Sequence, residues 1–373
     1  GVDDKVYPPM SVELKNSGIN FFEGYKLKNY RNADLYVIGN TISRGNEILE
    51  HILKEKDKII SGPEWLYKNI LKNKKVIAVS GTHGKTSVTS MIAHTLINNG
   101  ENPSYLIAGI PKGFNKSWNL TESNYFVIEA DEYDTAYFDK RPKFFHYNPD
   151  ILLINNIEFD HADIYKNIEE IEQNFMELVL GLPKESVIYI NSSGVRESFL
   201  DIIQKNINIK AQIEVFNAEA EDIYGINRNI TAKGLEGIVS ESKVRESLKN
   251  YKGVKRRYDI IFDNESFRVI DDFAHHPTAI KETLKIAKEE NGNVTLIVEL
   301  GSNSMRKGIH DDALIEIFKE NSSYLVSASP EQEKKFGDYA KPFTENSMKI
   351  LLQKSDSKKT ILMCGNKNFQ GFQ

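Results

Sequence analysis

The sequence is poor in cysteine, and it lacks both a long apolar run and an excess of basic charge. Its single cysteine, Cys364, excludes an internal disulfide and is typical of a reducing cytoplasm. No apolar stretch approaches the ~20 residues that a helix needs to cross a bilayer, and we recognise no signal peptide. A net charge of −5 counts against a nucleic-acid partner, because such surfaces normally carry a basic stripe. We therefore expect a cytoplasmic protein that acts on small molecules, away from membranes and nucleic acids.

The chain has 373 residues, enough for two or three domains with substantial cores. Strand and helix patterns alternate along it, which predicts an α/β fold with mostly parallel sheets. We predict three domains, over residues 1–72, 73–252 and 253–373. The predicted strands are Leu35–Ile38, Tyr125–Ile128, Ile151–Ile154, Val187–Ile190, Phe267–Ile270, Val294–Val298, Tyr324–Ser327 and Thr360–Met363. The clearest predicted helices are Val88–Ile97 and Ile168–Val179, and a third helical stretch begins at Asn46.

A phosphate-binding turn follows a short apolar run near residue 80. The segment GTHGKTS (Gly81–Ser87) places a glycine-rich turn, a lysine and a hydroxyl where a strand gives way to a helix. Backbone N–H groups and the positive helix end face an anion there, while the lysine reaches the terminal phosphates and the hydroxyl reaches Mg²⁺. The turn is shorter than the usual pattern, because Val79 occupies the position of its first glycine. The predicted nucleotide-binding residues are Gly81, Thr82, Gly84, Lys85, Thr86 and Ser87.

An acidic run, EADEYD (Glu129–Asp134), follows the predicted strand Tyr125–Ile128. Ligands of open parallel sheets bind at the carboxyl ends of the strands, where these acids would lie. Four carboxylates in six residues repel one another unless a cation compensates them, and Mg²⁺ prefers oxygen ligands. The run therefore indicates a cation site; a solvated acidic loop is the alternative.

Histidines and acids follow two further strands. NNIEFDH (Asn155–His161) comes after one strand, and DDFAHHP (Asp271–Pro277) comes after another. A lone histidine is more often structural than a metal ligand, so from spacing alone both roles remain open for His161. Two strand ends with paired acids and histidines indicate one site assembled between domains, where pockets tend to form.

Together these motifs resemble the Mur ligase family. The motifs GTHGKTS, EADEYD, NNIEFDH, GVKRR and DDFAHHPTAI occur in that order, and the resemblance spans nearly the whole chain. Glu129–Tyr165 and GNTISRGN (Gly39–Asn46) are similar to members that act on a murein tripeptide. The resemblance implies a Rossmann-like N-terminal domain that is apparently truncated, a central P-loop ATPase domain and a Rossmann-like C-terminal domain.

The implied reaction is an ATP- and Mg²⁺-dependent amide ligation in peptidoglycan recycling. It would join the carboxylate of UDP-N-acetylmuramate to the amine of L-alanyl-γ-D-glutamyl-meso-diaminopimelate through an acyl phosphate. One alternative is the ligase that adds L-alanine to the same nucleotide sugar. Another is a non-catalytic nucleotide-binding protein on the same scaffold. The folate-polyglutamate ligases share the architecture, but the EADEYD and DDFAHHP motifs favour a muramyl substrate.

The resemblance also implies roles for individual residues. It places Lys85 and Arg257 at the ATP phosphates, and Asp272 at the ribose. The implied Mg²⁺ ligands are Thr86, Glu129 and His161. The implied catalytic residues are Lys85, His161, Arg257 and His275, and the implied substrate-binding residues are Asn40, Ser43, His276 and Arg306. No residue is evident as the base for the incoming amine.

The sequence departs from the family pattern at three places. Nothing before Gly1 supplies the glycine-rich turn that grips the uridine diphosphate in relatives. The segment from Gly234 to Tyr251 lacks the His-Asn pair that relatives place near the adenine. ELGSN (Glu299–Asn303) stands where the tripeptide-specific relatives have Glu-Pro-Arg-Ser-Asn, and Arg306 is the nearest arginine to replace the one lost. We expect the first two segments to be missing from the given sequence rather than from the protein.

Overall fold

The computed structural model describes residues 1–4, 6, 10–54, 58–353 and 357–371. The strands, in chain order, are β1 (Val2–Asp3), β2 (Phe22–Glu23), β3 (Tyr36–Ile38), β4 (Ile59–Ser61), β5 (Lys75–Ser80), β6 (Ser104–Leu106), β7 (Trp118–Asn119), β8 (Tyr125–Ala130), β9 (Asp134–Ala136), β10 (Asp139–Pro142), β11 (Ile151–Ile154), β12 (Val187–Asn191), β13 (Gln212–Phe216), β14 (Asp259–Asp263), β15 (Phe267–Asp272), β16 (Val294–Glu299), β17 (Ser323–Val326), β18 (Ala340–Pro342) and β19 (Lys359–Cys364).

The α-helices, in chain order, are α1 (Met10–Asn16), α2 (Glu47–Ile52), α3 (Gly62–Asn69), α4 (Lys85–Asn98), α5 (Ile168–Gly181), α6 (Glu197–Lys205), α7 (Ile223–Gly234), α8 (Glu241–Lys249), α9 (Pro277–Asn291), α10 (Asn303–Arg306), α11 (Asp311–Lys319), α12 (Pro330–Phe336) and α13 (Glu345–Leu351). Short 3₁₀ turns occupy Leu27–Asn29, Leu71–Asn73, Lys143–His146, Ser192–Gly194 and Phe369–Gly371. Among the described residues, no helix is long and apolar enough to pass through a lipid bilayer.

The chain divides into two compact units. Unit 1 comprises residues 1–73 and 133–148, and unit 2 comprises residues 74–132 and 149–373. In unit 1, β1 pairs with β2 and β3 with β4, both in parallel, while β9 and β10 form an antiparallel pair. Helix α2 begins after Asn46, whose side chain accepts hydrogen bonds from the N–H groups of Ile48 and Leu49. That cap explains why the helix starts there.

The first sheet of unit 2 has seven strands in the order β13-β12-β11-β5-β8-β6-β7. Its strands are parallel except for β7, which pairs antiparallel with β6. β5 is buried from its second residue onward and β11 along its whole length, as is typical of parallel strands covered on both faces. Helices α4, α7 and α8 pack against one another beside this sheet. The carboxyl ends of β5, β8 and β11 therefore open at one edge.

The second sheet of unit 2 has six strands in the order β14-β15-β19-β16-β17-β18. Only β14 runs antiparallel to its neighbour among the described strands of this sheet. Its core joins the sheet to α9, α11 and α12 through buried side chains, among them Ile270, Leu284, Leu296, Phe318 and Phe336. The α/β prediction is confirmed, and every predicted strand is present with bounds that move by at most two residues.

Candidate active site in unit 2

The phosphate-binding turn joins β5 to α4 in unit 2. Gly84 caps the helix at φ 80°, and Gly81 has φ 131°, a region that residues with a side chain rarely occupy. A Cβ atom on Gly81 would lie 2.8 Å from the carbonyl oxygen of Asn156, and one on Gly84 would lie 2.5 Å from Nδ2 of Asn155. Both glycines are therefore required by backbone angle and by the close approach of the next strand end.

The segment after β11 holds this turn in place. The N–H of Thr82 donates to the carbonyl oxygen of Asn156 (3.1 Å), and the N–H of Glu158 donates to Thr82 Oγ1 (2.9 Å). The N–H of His83 donates to Asn156 Oδ1 (2.8 Å), and Asn155 Nδ2 donates to the His83 carbonyl oxygen (2.8 Å). The turn is thus preorganised by side chains of the NNIEFDH motif.

Lys85 lies inside this site, with only 14% of its side chain exposed. Its Nζ donates to the Gly81 carbonyl oxygen (2.6 Å) and to both carboxylate oxygens of Glu132 (2.8 and 3.1 Å). Burial alone would lower the pKa of Lys85, but the charges of Glu132 and Asp131 outweigh it and raise this pKa. Burial opposes ionisation of Glu132 too, yet Lys85 and His161 lower its pKa to about 2. The site therefore holds a charged lysine against a charged glutamate.

Thr86 and Glu129 form the first set of oxygen donors. Thr86 Oγ1 donates to Glu129 Oε2 (2.9 Å), and Arg257 Nη2 donates to Thr86 Oγ1 (3.2 Å). The second oxygen of Glu129 accepts from the N–H of Ala108 (2.6 Å). Burial raises the pKa of Glu129 and lowers that of Arg257. A half-buried carboxylate beside a hydroxyl at a helix start fits a hard cation such as Mg²⁺.

Asp131, Glu132 and His161 form a second set of possible cation ligands. One ligand atom from each lies within 4.8 Å of the others, and His161 Nε2 is 3.2 Å from Glu132 Oε1. His161 has φ 54°, in the left-handed region, and its N–H donates to Asp160 Oδ1 (2.7 Å). Burial lowers the pKa of His161, but Glu132 and Asp160 outweigh it and raise this pKa. Two carboxylates and one imidazole also suit a cation that favours oxygen.

The DDFAHHP loop of the second sheet reaches the same edge. His275 Nε2 lies 3.8 Å from Asp160 Oδ2, and burial lowers the pKa of His275 to about 4. His276 Nδ1 lies 3.6 Å from Glu158 Oε2. Ser304 Oγ donates to Asp160 Oδ1 (3.0 Å), so a second loop of this sheet joins the contact. The segments after β11 and after β15, which the sequence predicts to form one site, are therefore neighbours.

Within the described part of the chain, the remaining predicted site residues of unit 2 are not seen in contact with Lys85. Both oxygens of Asp272 accept backbone N–H groups, from Tyr258 (2.6 Å) and Ala274 (2.7 Å). Ser87 is half-buried in the first turn of α4. Arg306 is exposed on α10, and its Nη2 donates to Asn303 Oδ1 (3.2 Å).

Asn40 and Ser43 belong to unit 1. That unit has a cavity of about 600 Å³, whose lining includes Ser43, Arg44, Tyr25 and Asp3 but, among the described residues, not Asn40. The roles assigned to these residues by resemblance stay predictions.

Sequence reasoning missed two residues of this site. Glu132 is one acid of the EADEYD run, and its position three residues after Glu129 is the signal that marks it. Asn227 is buried on α7, and its Oδ1 has no hydrogen-bond partner among the described residues. A Cβ atom on Gly84 would lie 2.9 Å from that oxygen, so α7 reaches the phosphate-binding turn. No sequence pattern marks Asn227, because it lies before the 234–251 segment in which the resemblance predicts the family's His-Asn pair.

Comparison with known proteins decides the family. The Mur ligase middle domain matches residues 79–248, and the Mur ligase glutamate ligase domain matches residues 256–365. The UDP-N-acetylmuramate–L-alanyl-γ-D-glutamyl-meso-2,6-diaminoheptandioate ligase of Haemophilus influenzae is 35% identical over 346 residues, covering 84% of this chain and 76% of that protein. The chain belongs to the Mur ligase family.

Two further Mur ligases illustrate the range of similarity. The crystal structure of the murein peptide ligase Mpl from Psychrobacter arcticus is 28% identical, with a TM-score of 0.73, over 100% of this chain and 91% of that one. The UDP-N-acetylmuramate–L-alanine ligase of Clostridium acetobutylicum is 32% identical over 312 residues, covering 75% of this chain and 66% of that protein. The Mur ligase fold therefore accounts for the whole described chain.

Proposed function

We propose that this protein is an ATP-dependent ligase that joins the carboxylate of UDP-N-acetylmuramate to the amine of L-alanyl-γ-D-glutamyl-meso-diaminopimelate in peptidoglycan recycling. The observation that carries this proposal is the phosphate-binding turn with two cation-ligand sets around Lys85. The 35% identity to a relative named for this reaction supports the choice of substrates.

The chemistry explains why such a site is needed. A carboxylate is a poor electrophile, so its oxygen first attacks the γ-phosphorus of ATP; ADP leaves and an acyl phosphate forms. The amine then attacks the acyl carbon, loses a proton, and inorganic phosphate departs as the amide forms. The first step brings two anions together, which requires preorganised positive charge.

The residues of the site supply that charge. We propose that Lys85 transfers its contact from Glu132 to the β- and γ-phosphates when ATP binds, and that Arg257 approaches the same phosphates. Thr86 and Glu129 would hold one Mg²⁺, and His161 with Asp131 and Glu132 a second. Mg²⁺ at these positions supplies charge compensation at the phosphate oxygens. We propose His275, whose Nε2 lies 3.8 Å from Asp160 Oδ2, as a further catalytic residue.

Replacing His161 by alanine is expected to weaken the Mg²⁺ dependence of the ligase. Loss of one ligand from the second set should raise the Mg²⁺ concentration for half-maximal rate about tenfold, equivalent to ~1.4 kcal/mol. The measurement is a Mg²⁺ titration of phosphate release at saturating ATP. His51→Ala, in helix α2 of unit 1, serves as control. An unchanged titration for His161→Ala would assign that residue a structural role.

The main competing function uses L-alanine as the amine, as named for the Clostridium acetobutylicum relative. A single small amino acid needs a tight pocket, whereas a tripeptide needs an open cleft with cations for its carboxylates. The exposed Arg306 fits the second case, and we propose it as a peptide-binding residue. His276 is proposed as a further substrate contact, and Asn40 and Ser43 as contacts of the nucleotide sugar in unit 1.

The amine substrate is tested by phosphate release from ATP with UDP-N-acetylmuramate and Mg²⁺. We expect turnover with L-alanyl-γ-D-glutamyl-meso-diaminopimelate and at least about 100-fold less with L-alanine, a difference of ~2.7 kcal/mol in transition-state binding. Turnover with L-alanine alone would show that the protein is instead an L-alanine-adding ligase. If a folded, full-length protein releases no phosphate with either amine, a non-catalytic nucleotide-binding protein is the favoured alternative.

We further propose that the central and C-terminal domains divide near Lys252, between the two family matches, with the nucleotide-sugar domain over residues 1–72. The described cysteine is free and buried, which is consistent with a reducing compartment such as the cytoplasm. Small-molecule substrates are the partners that this proposal requires.

A further inference from the structure

A separate cluster of nitrogen and oxygen donors lies beside the phosphate-binding turn. It consists of His83 in that turn, Glu158 after β11, and His276 immediately before α9. One ligand atom from each residue lies within 4.8 Å of the others. Three distant segments of the chain therefore bring two imidazoles and a carboxylate to one point, and the proposed ligase function assigns no role to the side chains of His83 and Glu158.

The donor atoms of this cluster lie slightly further apart than hydrogen-bonded atoms do. Glu158 Oε2 lies 3.7 Å from His83 Nε2 and 3.6 Å from His276 Nδ1. Both separations exceed a normal hydrogen bond. Two ligands bound tetrahedrally to one Zn²⁺ at about 2.0–2.1 Å lie roughly 3.3 Å apart, so a movement of ~0.4 Å would complete the geometry.

Two of the three residues are held in place from outside the cluster. The backbone of His83 is fixed at its N–H by Asn156 Oδ1 and at its carbonyl oxygen by the Asn155 side chain. Thr278 Oγ1 donates to Glu158 Oε2 (2.7 Å), the type of outer hydrogen bond that orients a ligating carboxylate. Such support limits the reorganisation that a metal would require.

The burial and hydrogen bonding of the two histidines bear on whether they can bind a metal ion. His83 Nε2 is buried and has no hydrogen-bond partner among the described residues. His276 is 92% buried, and its Nδ1 accepts a long hydrogen bond from the N–H of Thr278 (3.4 Å), which a metal ion would displace. A metal ligand must offer a lone pair, and the unpartnered Nε2 of His83 is placed to do so.

We propose that His83, Glu158 and His276 bind one divalent transition-metal ion of the Zn²⁺ class, with a fourth position open to water or substrate. Two imidazoles and one carboxylate form a donor set typical of Zn²⁺ sites with an open position. The Asp131, Glu132 and His161 set has the opposite balance, with two carboxylates, and suits Mg²⁺. A metal here would join the phosphate-binding turn to the start of α9.

The test is a titration of the metal-free, full-length protein with Co²⁺ in excess Mg²⁺, without ATP or nucleotide sugar. We expect one equivalent of Co²⁺ to give the visible absorption of a tetrahedral centre and to be displaced by Zn²⁺. His83→Gln, Glu158→Gln and His276→Gln should each weaken binding at least tenfold. The control variants His51→Gln and His161→Gln should bind as the wild type does.

Thermal unfolding provides a second readout that separates lost ligation from lost folding. Zn²⁺ is expected to raise the Tm of the wild type and of His161→Gln but not that of Glu158→Gln. The proposal is overturned if no tetrahedral Co²⁺ spectrum appears, if His83→Gln and Glu158→Gln bind Co²⁺ normally, or if His161→Gln abolishes binding. None of these measurements depends on ligase activity, so failure of this proposal and failure of the proposed function are distinguishable.

Discussion

Replacing Lys85 by alanine is expected to lower the turnover number of the ligase by about 10³-fold or more. Lys85 starts helix α4 within the phosphate-binding turn, and its ammonium is held charged by Glu132. Phosphoryl transfer to a carboxylate depends on positive charge already in place, and loss of one such group typically costs several powers of ten. The measurement is single-turnover phosphate release at saturating ATP and Mg²⁺. UDP-N-acetylmuramate affinity should change little.

Two companion variants make this result interpretable. Removing Lys85 leaves Glu132 buried without its main cation, which typically destabilises a protein by about 3–5 kcal/mol. Lys85→Arg keeps the charge and the pairing but not the point-like ammonium, so it should fold while remaining at least about tenfold slower. Lys184→Ala, with 81% of its side chain exposed, serves as the neutral control. Full activity of Lys85→Ala would show that Lys85 is not needed to hold the ATP phosphates during catalysis.

Replacing Glu132 by alanine is expected to reduce both stability and turnover. Glu132 is 98% buried, binds Lys85 through both oxygens, and contacts His161 through one. Without it, Lys85 keeps Asp131 at 3.7 Å but loses its closest carboxylate, and His161 loses its ring contact, so the Tm should fall by several degrees. Turnover should fall about 10²-fold, because Lys85 and His161 lose their common anchor. Calorimetry and phosphate release measure the two effects.

Glu132→Gln separates the two roles of this residue. The amide preserves the shape and one acceptor oxygen but cannot neutralise Lys85, so packing should survive while the Mg²⁺ dependence shifts. Glu185→Ala, an exposed acid with 66% of its side chain accessible, is the control. Wild-type stability and rate for Glu132→Ala would show that Lys85 needs no internal counter-ion.

Local patterns in the sequence predicted much of the fold. Apolar runs bounded by turn residues located eight strands to within two residues, and GTHGKTS marked the strand–helix junction that the structure contains. Such features follow from short-range backbone preferences and therefore appear in a local window. The Mur ligase family followed from the order of five motifs, and the comparisons confirm it.

Local patterns did not predict which side chains pair or which distant segments of the chain are in contact. Glu132 and Asp134 are two residues apart, yet one binds Lys85 in unit 2 and the other lies in strand β9 of unit 1. Asn227 approaches the phosphate-binding turn only because α7 packs against α4. The energy of these placements depends on tertiary packing, which residue type and spacing do not encode locally.

The path of the chain through its two units limits how the protein can be divided into fragments. The chain passes between the units at residues 73–74, 132–133 and 148–149. A protease cut at the first of these positions would leave the β9–β10 hairpin on the larger fragment, although it belongs to the unit formed by the smaller one. The two fragments would then share one folded body, and their separation would require unfolding of that body. Expression of residues 1–73 alone would likewise yield an incomplete unit, so excision of a whole unit requires the hairpin to be grafted back.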